Sequence, residues 1–265
     1  MTEALQIAVK AARAAGEILN KRRDNFGPIK YKSEIDPVTE VDLECENKII
    51  NIISSRFPYH GFLAEESNNS RNLSSPHKWI IDPLDGTVNF AHGYPCYCTS
   101  IGLESNGEIV LGAIYNPSLD ELFTTEKGQG AFLNFNPIKV SRVSKLKKSM
   151  LVTGFAYDVG YAKNNNLDHF ENFLKSCQAV RRPGSAALDL CYTAMGRFEG
   201  FWEMKLHPWD MAAGKLLLEE AGGKVSLLNG SVFDLYQRQI LATNGLVHDA
   251  MLEILKKGKS TEILT

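Results

Sequence analysis

The stretch Trp79-Ile80-Ile81-Asp82-Pro83-Leu84-Asp85-Gly86-Thr87-Val88-Asn89-Phe90 decides how the rest of this chain is read. Its apolar start predicts a buried strand that delivers Asp82 to its end. Pro83 has no N–H to give a ladder and is expected to stop the strand there. Asp85 follows three positions later in a turn, so both carboxylates can face one point. Gly86 and Thr87 then offer N–H groups at a helix start, a place that favours phosphate. Carboxylates next to phosphate-binding amides would repel the ligand unless cations lay between them. Hard oxygen ligands with a phosphate suit Mg²⁺. The same letters also spell an Asx turn with a helix cap, because Asp-Pro-x-Asp-Gly is turn-prone. Taken alone, the fragment leaves both readings open.

Three more acidic segments bear on it. Phe62-Leu63-Ala64-Glu65-Glu66 places two carboxylates after a short apolar run. Asp36-Pro37-Val38-Thr39-Glu40-Val41-Asp42 offers two more around a threonine. Trp209-Asp210-Met211-Ala212-Ala213-Gly214 sets Asp210 before small residues that let a helix pack closely. Singly, Glu65 and Glu66 read as solvated surface, and Asp42 and Asp210 as helix N-caps. Together with the Asp82 segment they read as one acidic, metal-binding site.

Around these motifs, Leu5, Ala8, Val9, Ala12, Ala15 and Leu19 recur at helical spacing. A second helix is expected from near Val41 to Phe57, ended by Pro58. Residues 79–81, 100–104, 109–115 and 121–125 read as strands of an antiparallel sheet, separated by turn signals such as Asn106-Gly107 and Asn116-Pro117. The polar stretch 141–149 is the expected boundary. It divides an α+β lobe over 1–145, with most of the acidic motifs, from an α/β lobe over 146–265. In the second lobe, residues 151–153 read as a strand, and 169–176, 186–195 and 211–221 as helices, the last closed by Gly222-Gly223. No Pro/Gly/Ser-rich linker intervenes, so one two-lobed body with a cleft is expected.

Composition narrows the function classes. The 265 residues are 44% hydrophobic and 23% charged, which suits a packed core rather than a disordered chain. The net charge of −2 leaves no basic excess for a phosphate backbone, so nucleic acid is not an expected ligand. No apolar run is long enough to span a membrane. The charged residues Glu3, Lys10, Arg13 and Glu17 interrupt what a secretory signal needs as an apolar stretch. Five cysteines without a CxxC pair suggest free thiols and a cytoplasmic location, and Cys96 and Cys98 lack the second pair that a zinc site needs.

The Asp82–Thr87 and Trp209–Gly214 runs, with the glutamate pair upstream, resemble the two hallmark motifs of the inositol monophosphatases, Mg²⁺-dependent, lithium-sensitive phosphatases. The likeness extends from Asp36 to Asn244. It implies a layered αβαβα sandwich shared with fructose-1,6-bisphosphatases, and a homodimer. It further implies that Glu65, Asp82 and the Leu84 carbonyl hold one metal, and that Asp82, Asp85 and Asp210 hold a second. Glu65 would also touch a third, so two or three Mg²⁺ are expected. Gly86 and Thr87 would hold the phosphate, and Asp36 and Thr87 would orient the attacking water, with Glu65 or Glu66 nearby. Asp42 would hydrogen-bond within this network, and Lys32 would mark a loop over the metals. Asp85, Gly184, Ser185, Ala186 and Glu203 would contact substrate hydroxyls. Arg181 or Arg182 would meet a second phosphate or stay at the surface. Phe201, Trp202 and Trp209 read as core, and His92 and His207 as structural.

The expected activity is hydrolysis of phosphate monoesters by direct attack of a metal-activated water. No cysteine-phosphatase loop and no GxSxG elbow points to a covalent route. Inositol 1-phosphate is the first candidate substrate, with fructose 1,6-bisphosphate, alone or in addition, as the alternative. A 3′-phosphoadenosine nucleotide is disfavoured because no added segment would hold an adenine. A regulatory partner of the transcription machinery is the competing class, but a pure binding module has no need to keep Glu65, Asp82, Asp85 and Asp210 together.

Overall fold

The structure, a computed structural model, describes residues 1–23, 30, 31, 37, 38, 40–66 and 71–258. Asp36 and Lys32 lie outside the described residues, and the expectations placed on them stay at that stage. Helix α1 (Glu3–Arg22) starts where the Thr2 hydroxyl accepts the Leu5 N–H, and it buries the six apolar residues that its spacing singles out. It packs on α2 (Glu40–Arg56). Between them, β1 (Lys30–Tyr31) and β2 (Pro37–Val38) pair antiparallel.

The larger sheet contains β3 (Gly61–Ala64), β4 (His77–Asp85), β5 (Cys98–Ser105), β6 (Glu108–Asn116), β7 (Glu121–Glu126), β8 (Gly130–Leu133) and β9 (Asn136–Pro137). Its seven strands lie in chain order and are antiparallel except for the β3–β4 pair. A short helix, α3 (Thr87–Ala91), follows β4. The smaller sheet contains β10 (Met150–Thr153), β11 (Ala179–Arg181), β12 (Gly200–Met204), β13 (Lys224–Ser226) and β14 (Gln239–Thr243). It is mixed, in the order β11-β10-β12-β14-β13. Four further helices complete the chain: α4 (Leu167–Ser176), α5 (Ala186–Ala194), α6 (Pro208–Glu220) and α7 (His248–Leu255).

The cores show how these pieces stack. Side chains of α1 and α2 share a cluster with one face of the larger sheet. Residues of α5 and α6 join its other face (Ile80, Cys98, Ile114, Phe123) to the smaller sheet (Phe201, Ile240, Ala242). The far face of the smaller sheet meets α4 and α7. The result is the expected layered αβαβα sandwich. A helix between two sheets must be apolar on every side. Helix α5 is buried on every side, with Ala186 to Cys191, Thr193 and Ala194 inside, and of these only Asp189 and Thr193 depart from the apolar or thiol character of the rest. Helix α6 meets that demand with Ala212 and Ala213, small enough to lie against Gly102 and Gly112 of the larger sheet.

Pro83 does not end its strand. Strand β4 runs on to Asp85, with a register shift between Asp82, opposite Ser100, and Asp85, opposite Cys98. A bulge tolerates a residue that cannot donate, and Thr99 Oγ1 donates to the Pro83 carbonyl at 2.9 Å. The bulge sets Asp82 and Asp85 beside the same cavity. Helix α6 begins at Pro208, three residues earlier than its apolar pattern suggests, because proline fits a first turn. All five cysteines are free, and no helix among the described residues is long and apolar enough to cross a membrane.

Candidate active site

The end of β4, the start of α3, the N-termini of α5 and α6 and the end of β12 converge on a cavity of about 730 Å³. Glu65, Asp82, Leu84, Asp85, Gly86, Thr87, Gly184, Ser185, Ala186, Glu203 and Asp210 all line it. These residues meet in one place although Asp85 and Asp210 are 125 positions apart in the numbering, whereas Asp42, Glu66 and Arg181 are not among the lining residues.

Each carboxylate is held by donors of the fold. Asp82 Oδ1 accepts the Leu84 N–H at 3.0 Å, inside the bulge. Asp85 Oδ2 accepts Ser185 Oγ–H at 2.6 Å and the Ala187 N–H at 2.8 Å, both at the start of α5. Asp210 Oδ2 accepts the His207 N–H at 2.7 Å, so Asp210 completes a capping box for α6 as well as lining the cavity. Asp210 is thus the N3 partner of the His207 cap rather than the N-cap itself, and it lines the cavity as well.

Burial raises the Asp82 carboxyl well above the usual range, and Glu65, Asp85 and Asp210 push it further. Burial raises Asp210 well above its usual value too, aided by Asp85 and Glu65 and opposed by the His207 N–H. Burial also raises Asp85, against the pull of its Ser185 and Ala187 donors. Clustered carboxylates of this kind need protons or a cation. The donor set fits a hard dication: four carboxylates and the Leu84 carbonyl, all oxygen. Burial and Asp85 push the nearby Cys98 thiol up, and its Sγ stands 3.8 Å from Asp85 Oδ2. Among the described residues no three His, Cys, Asp or Glu side chains already surround one point at ligating distance.

Gly86 precedes α3 at φ 91°, and a Cβ there would stand 2.8 Å from the Cys96 carbonyl, so only glycine fits. Thr87 Oγ1 lies 3.0 Å from Asp42 Oδ1 and 3.1 Å from the Leu84 carbonyl, two acceptors for its one proton. Asp42 is fully buried on α2, the position that the sequence reads as a cap or network residue. Its contact with Thr87 agrees with the network role that the resemblance gives Asp42. The neighbouring buried Glu46 accepts the Glu66 N–H at 2.8 Å.

Glu203, on β12, is 8% exposed and pushed up to about 8 by burial and Asp85, with Arg182 pulling the other way. Asp189 lies buried behind it, with Oδ1 lacking a hydrogen-bond partner and its carboxyl raised well above the usual range by burial, Glu203 and Asp85. Gly154 makes room for Glu203, since a Cβ there would sit 2.2 Å from Glu203 Oε1. Asn89 Nδ2 donates to the Cys96 carbonyl at 2.6 Å and the Pro183 carbonyl at 2.9 Å, tying α3 to the loop before α5. Of the two arginines, Arg182 lines the cavity, whereas Arg181 is exposed and donates to the Val180 carbonyl. Phe201 and Trp202 are core, but Trp209 lines the cavity, stacked on His207 with centroids 4.7 Å apart. Sequence reasoning missed Gly154, Asp158 and Lys205, which also line the cavity; a lone glycine, a surface-like acid and a single lysine carry no motif.

The inositol monophosphatase family model matches residues 1–260. The inositol-1-monophosphatase of Synechocystis sp. is 46% identical over 252 residues, covering 95% of this chain and 88% of that protein. The solved inositol monophosphatase from Anabaena (Nostoc) sp. is 45% identical with a TM-score of 0.89, covering 97% of this chain and 96% of that one. A solved IMPase/NADP phosphatase complexed with Mg²⁺ and phosphate is 25% identical with a TM-score of 0.82, covering 94% and 93%. A match over nearly the whole length, in sequence and in fold, makes this chain a member of the inositol monophosphatase family.

Proposed function

We propose that the chain is a Mg²⁺-dependent phosphatase acting on polyol monophosphates, inositol 1-phosphate first among them. The observation that carries this reading is the meeting of Glu65, Asp82, Asp85 and Asp210 beside the first turn of α3 in one cavity. The names of the relatives support the substrate, and the Mg²⁺ and phosphate of the solved IMPase/NADP phosphatase support the metal.

Glu65, Asp82, Asp85, Asp210 and the Leu84 carbonyl would hold the ions. When bound, they would neutralise the phosphate's charge and acidify a water. The remaining work falls to the chain's own groups. The first N–H groups of a helix have no partner within it, and those at Gly86 and Thr87 are placed to take phosphate oxygens. While its O–H points to Asp42 Oδ1, Thr87 keeps lone pairs free to accept a proton from a water in the cavity. Thr87 and Asp42 thus orient that water and take up its proton. Ser185 and the Ala187 N–H hold Asp85 Oδ2, which fixes how Asp85 meets a substrate hydroxyl. Glu203, protonated below about 8, can donate to a second hydroxyl. The Gly184–Ser185–Ala186 backbone lies where the polyol would rest.

Initial rates on a panel of phosphate esters, with and without Mg²⁺, test this. Mg²⁺-dependent phosphate release, fastest on inositol 1-phosphate, is expected. No Mg²⁺-dependent release from any ester would refute the reading. A homodimer belongs to the same reading, and sedimentation velocity tests it.

A further inference from the structure

Helix α2 carries two buried carboxylates on one face. Asp42 and Glu46 stand at the i, i+4 spacing of neighbours on a helix, and both are closed to solvent. The other buried residues of α2 are Val41, Cys45, Ile49, Ile50 and Ile53. An apolar side chain at position 46 would continue that face with no charge to desolvate, whereas a buried carboxylate is tolerated only where donors meet it. Asp42 Oδ1 meets Thr87 Oγ1 at 3.0 Å. Glu46 Oε2 accepts the Glu66 N–H at 2.8 Å, and that amide directly follows Glu65.

The bond bears on where Glu65 points. Strand β3 ends at Ala64, so Glu65 stands just past its ladder. The Glu65 N–H still donates to the Ile81 carbonyl at 3.3 Å, which ties down the peptide before its Cα. The Glu66 N–H belongs to the peptide after that Cα, and Glu46 ties down this one. Peptide groups are planar, so holding both flanking groups leaves φ and ψ of Glu65 little freedom. Backbone angles in turn limit the rotamers of the side chain, which lines the cavity with Asp82 and Asp85.

We propose that Glu46 is a positioning residue for the cation site. It does not line the cavity; through the Glu66 N–H it holds Glu65 in the orientation that takes the metal. This rests on the metal-dependent reading above. One face of α2 then sets two parts of the site, Thr87 through Asp42 and Glu65 through Glu46.

The test titrates Mg²⁺ into metal-free protein by calorimetry, without substrate and well below the melting temperature of each variant. Glu46→Met fills the space without an acceptor. Glu46→Asp keeps the charge but is one methylene too short to reach the amide. In both, Mg²⁺ affinity should fall by about 10–100-fold, the usual effect of losing a group that orients a metal ligand. Glu46→Gln loses the charge but keeps an oxygen at the right reach, so it should bind Mg²⁺ nearly as the wild type does. In the metal-free proteins, hydrogen exchange at the Glu66 amide should be faster for Met and Asp and little changed for Gln. If Glu46 acted only by its negative charge, Asp would bind normally and Gln weakly, and that order would overturn the proposal. So would wild-type affinity in the Met and Asp variants, whatever their melting temperatures. A wild type that binds no Mg²⁺ would overturn the metal-dependent reading itself.

Discussion

Ser185, at the start of α5, donates a 2.6 Å hydrogen bond to Oδ2 of Asp85, at the end of β4. This bond couples the loop before α5, in one half of the chain, to an acidic residue of the other. Ser185→Ala leaves the Ala187 N–H as the main remaining donor. We expect a stability loss of about 1 kcal/mol and a roughly tenfold lower kcat/KM as Asp85 loses its fixed orientation. Ser185→Thr should recover most of the rate. Steady-state kinetics and thermal melts on both variants check this, and equal losses in both would speak against the bond.

Thr87 Oγ1 lies 3.0 Å from buried Asp42, and in the proposed mechanism it passes a water's proton toward that carboxylate. Thr87→Val keeps the shape and removes the hydroxyl. A kcat lower by about 10²-fold, with a smaller change in KM, is the expected result. Thr87→Ser should keep most of the activity, and Asp42→Asn should resemble Thr87→Val. A Thr87→Val enzyme with normal kcat would remove Thr87 from the proton path.

Gly154 leaves no room for a side chain beside Glu203. Gly154→Ala should push the Glu203 carboxylate aside and destabilise by about 1–3 kcal/mol, the usual range for overpacking. In the proposed reading Glu203 meets a polyol hydroxyl, so KM should rise more than kcat falls. Kinetics at saturating metal separate the two.

Burial and Asp85 raise Glu203 to about 8, so the folded protein keeps a proton there that the unfolded chain releases near its ordinary 4.5. Stability then falls as pH rises between these values and levels off above about 8. Asp82, Asp189 and Asp210 are raised as well and add slope of the same sign. Glu203→Gln should reduce the slope of metal-free stability against pH by about one proton without abolishing it. Urea titrations between pH 5 and 8, a range of roughly that width, would show an unaltered slope if Glu203 ionised normally.

Much of this was legible before any coordinates. The period of Leu5 to Leu19 marks α1, and close-spaced turn signals mark the antiparallel strands. Asp82, Asp85, Glu65 and Asp210 stand in motifs, so their meeting was expected. What sequence hid was geometry that local rules misjudge. Pro83 looks like a strand end, yet the bulge absorbs it. Asp42 was expected to hydrogen-bond within the site, but no local rule gives its partner as Thr87, 45 positions away. Helix α7 and the strands β8 and β9 are short and depend on packing for their existence. Lys205 offers no motif; only its positive φ of 63° sets it apart.

The account stands on Asp210 joining Asp82 and Asp85 at one metal-dependent centre. Asp210→Asn keeps the size, and its side-chain oxygen can still accept the His207 N–H, so a residue that only caps α6 predicts nearly unchanged folding and turnover. The account predicts a kcat lower by about 10²-fold or more, with metal-free thermal stability equal or higher because one buried like charge is gone. The direct measurement is kcat and its Mg²⁺ dependence for Asp210→Asn beside its metal-free melting temperature. Near-normal turnover with unchanged Mg²⁺ dependence would contradict the assignment of Asp210 and an active site spanning both halves of the chain.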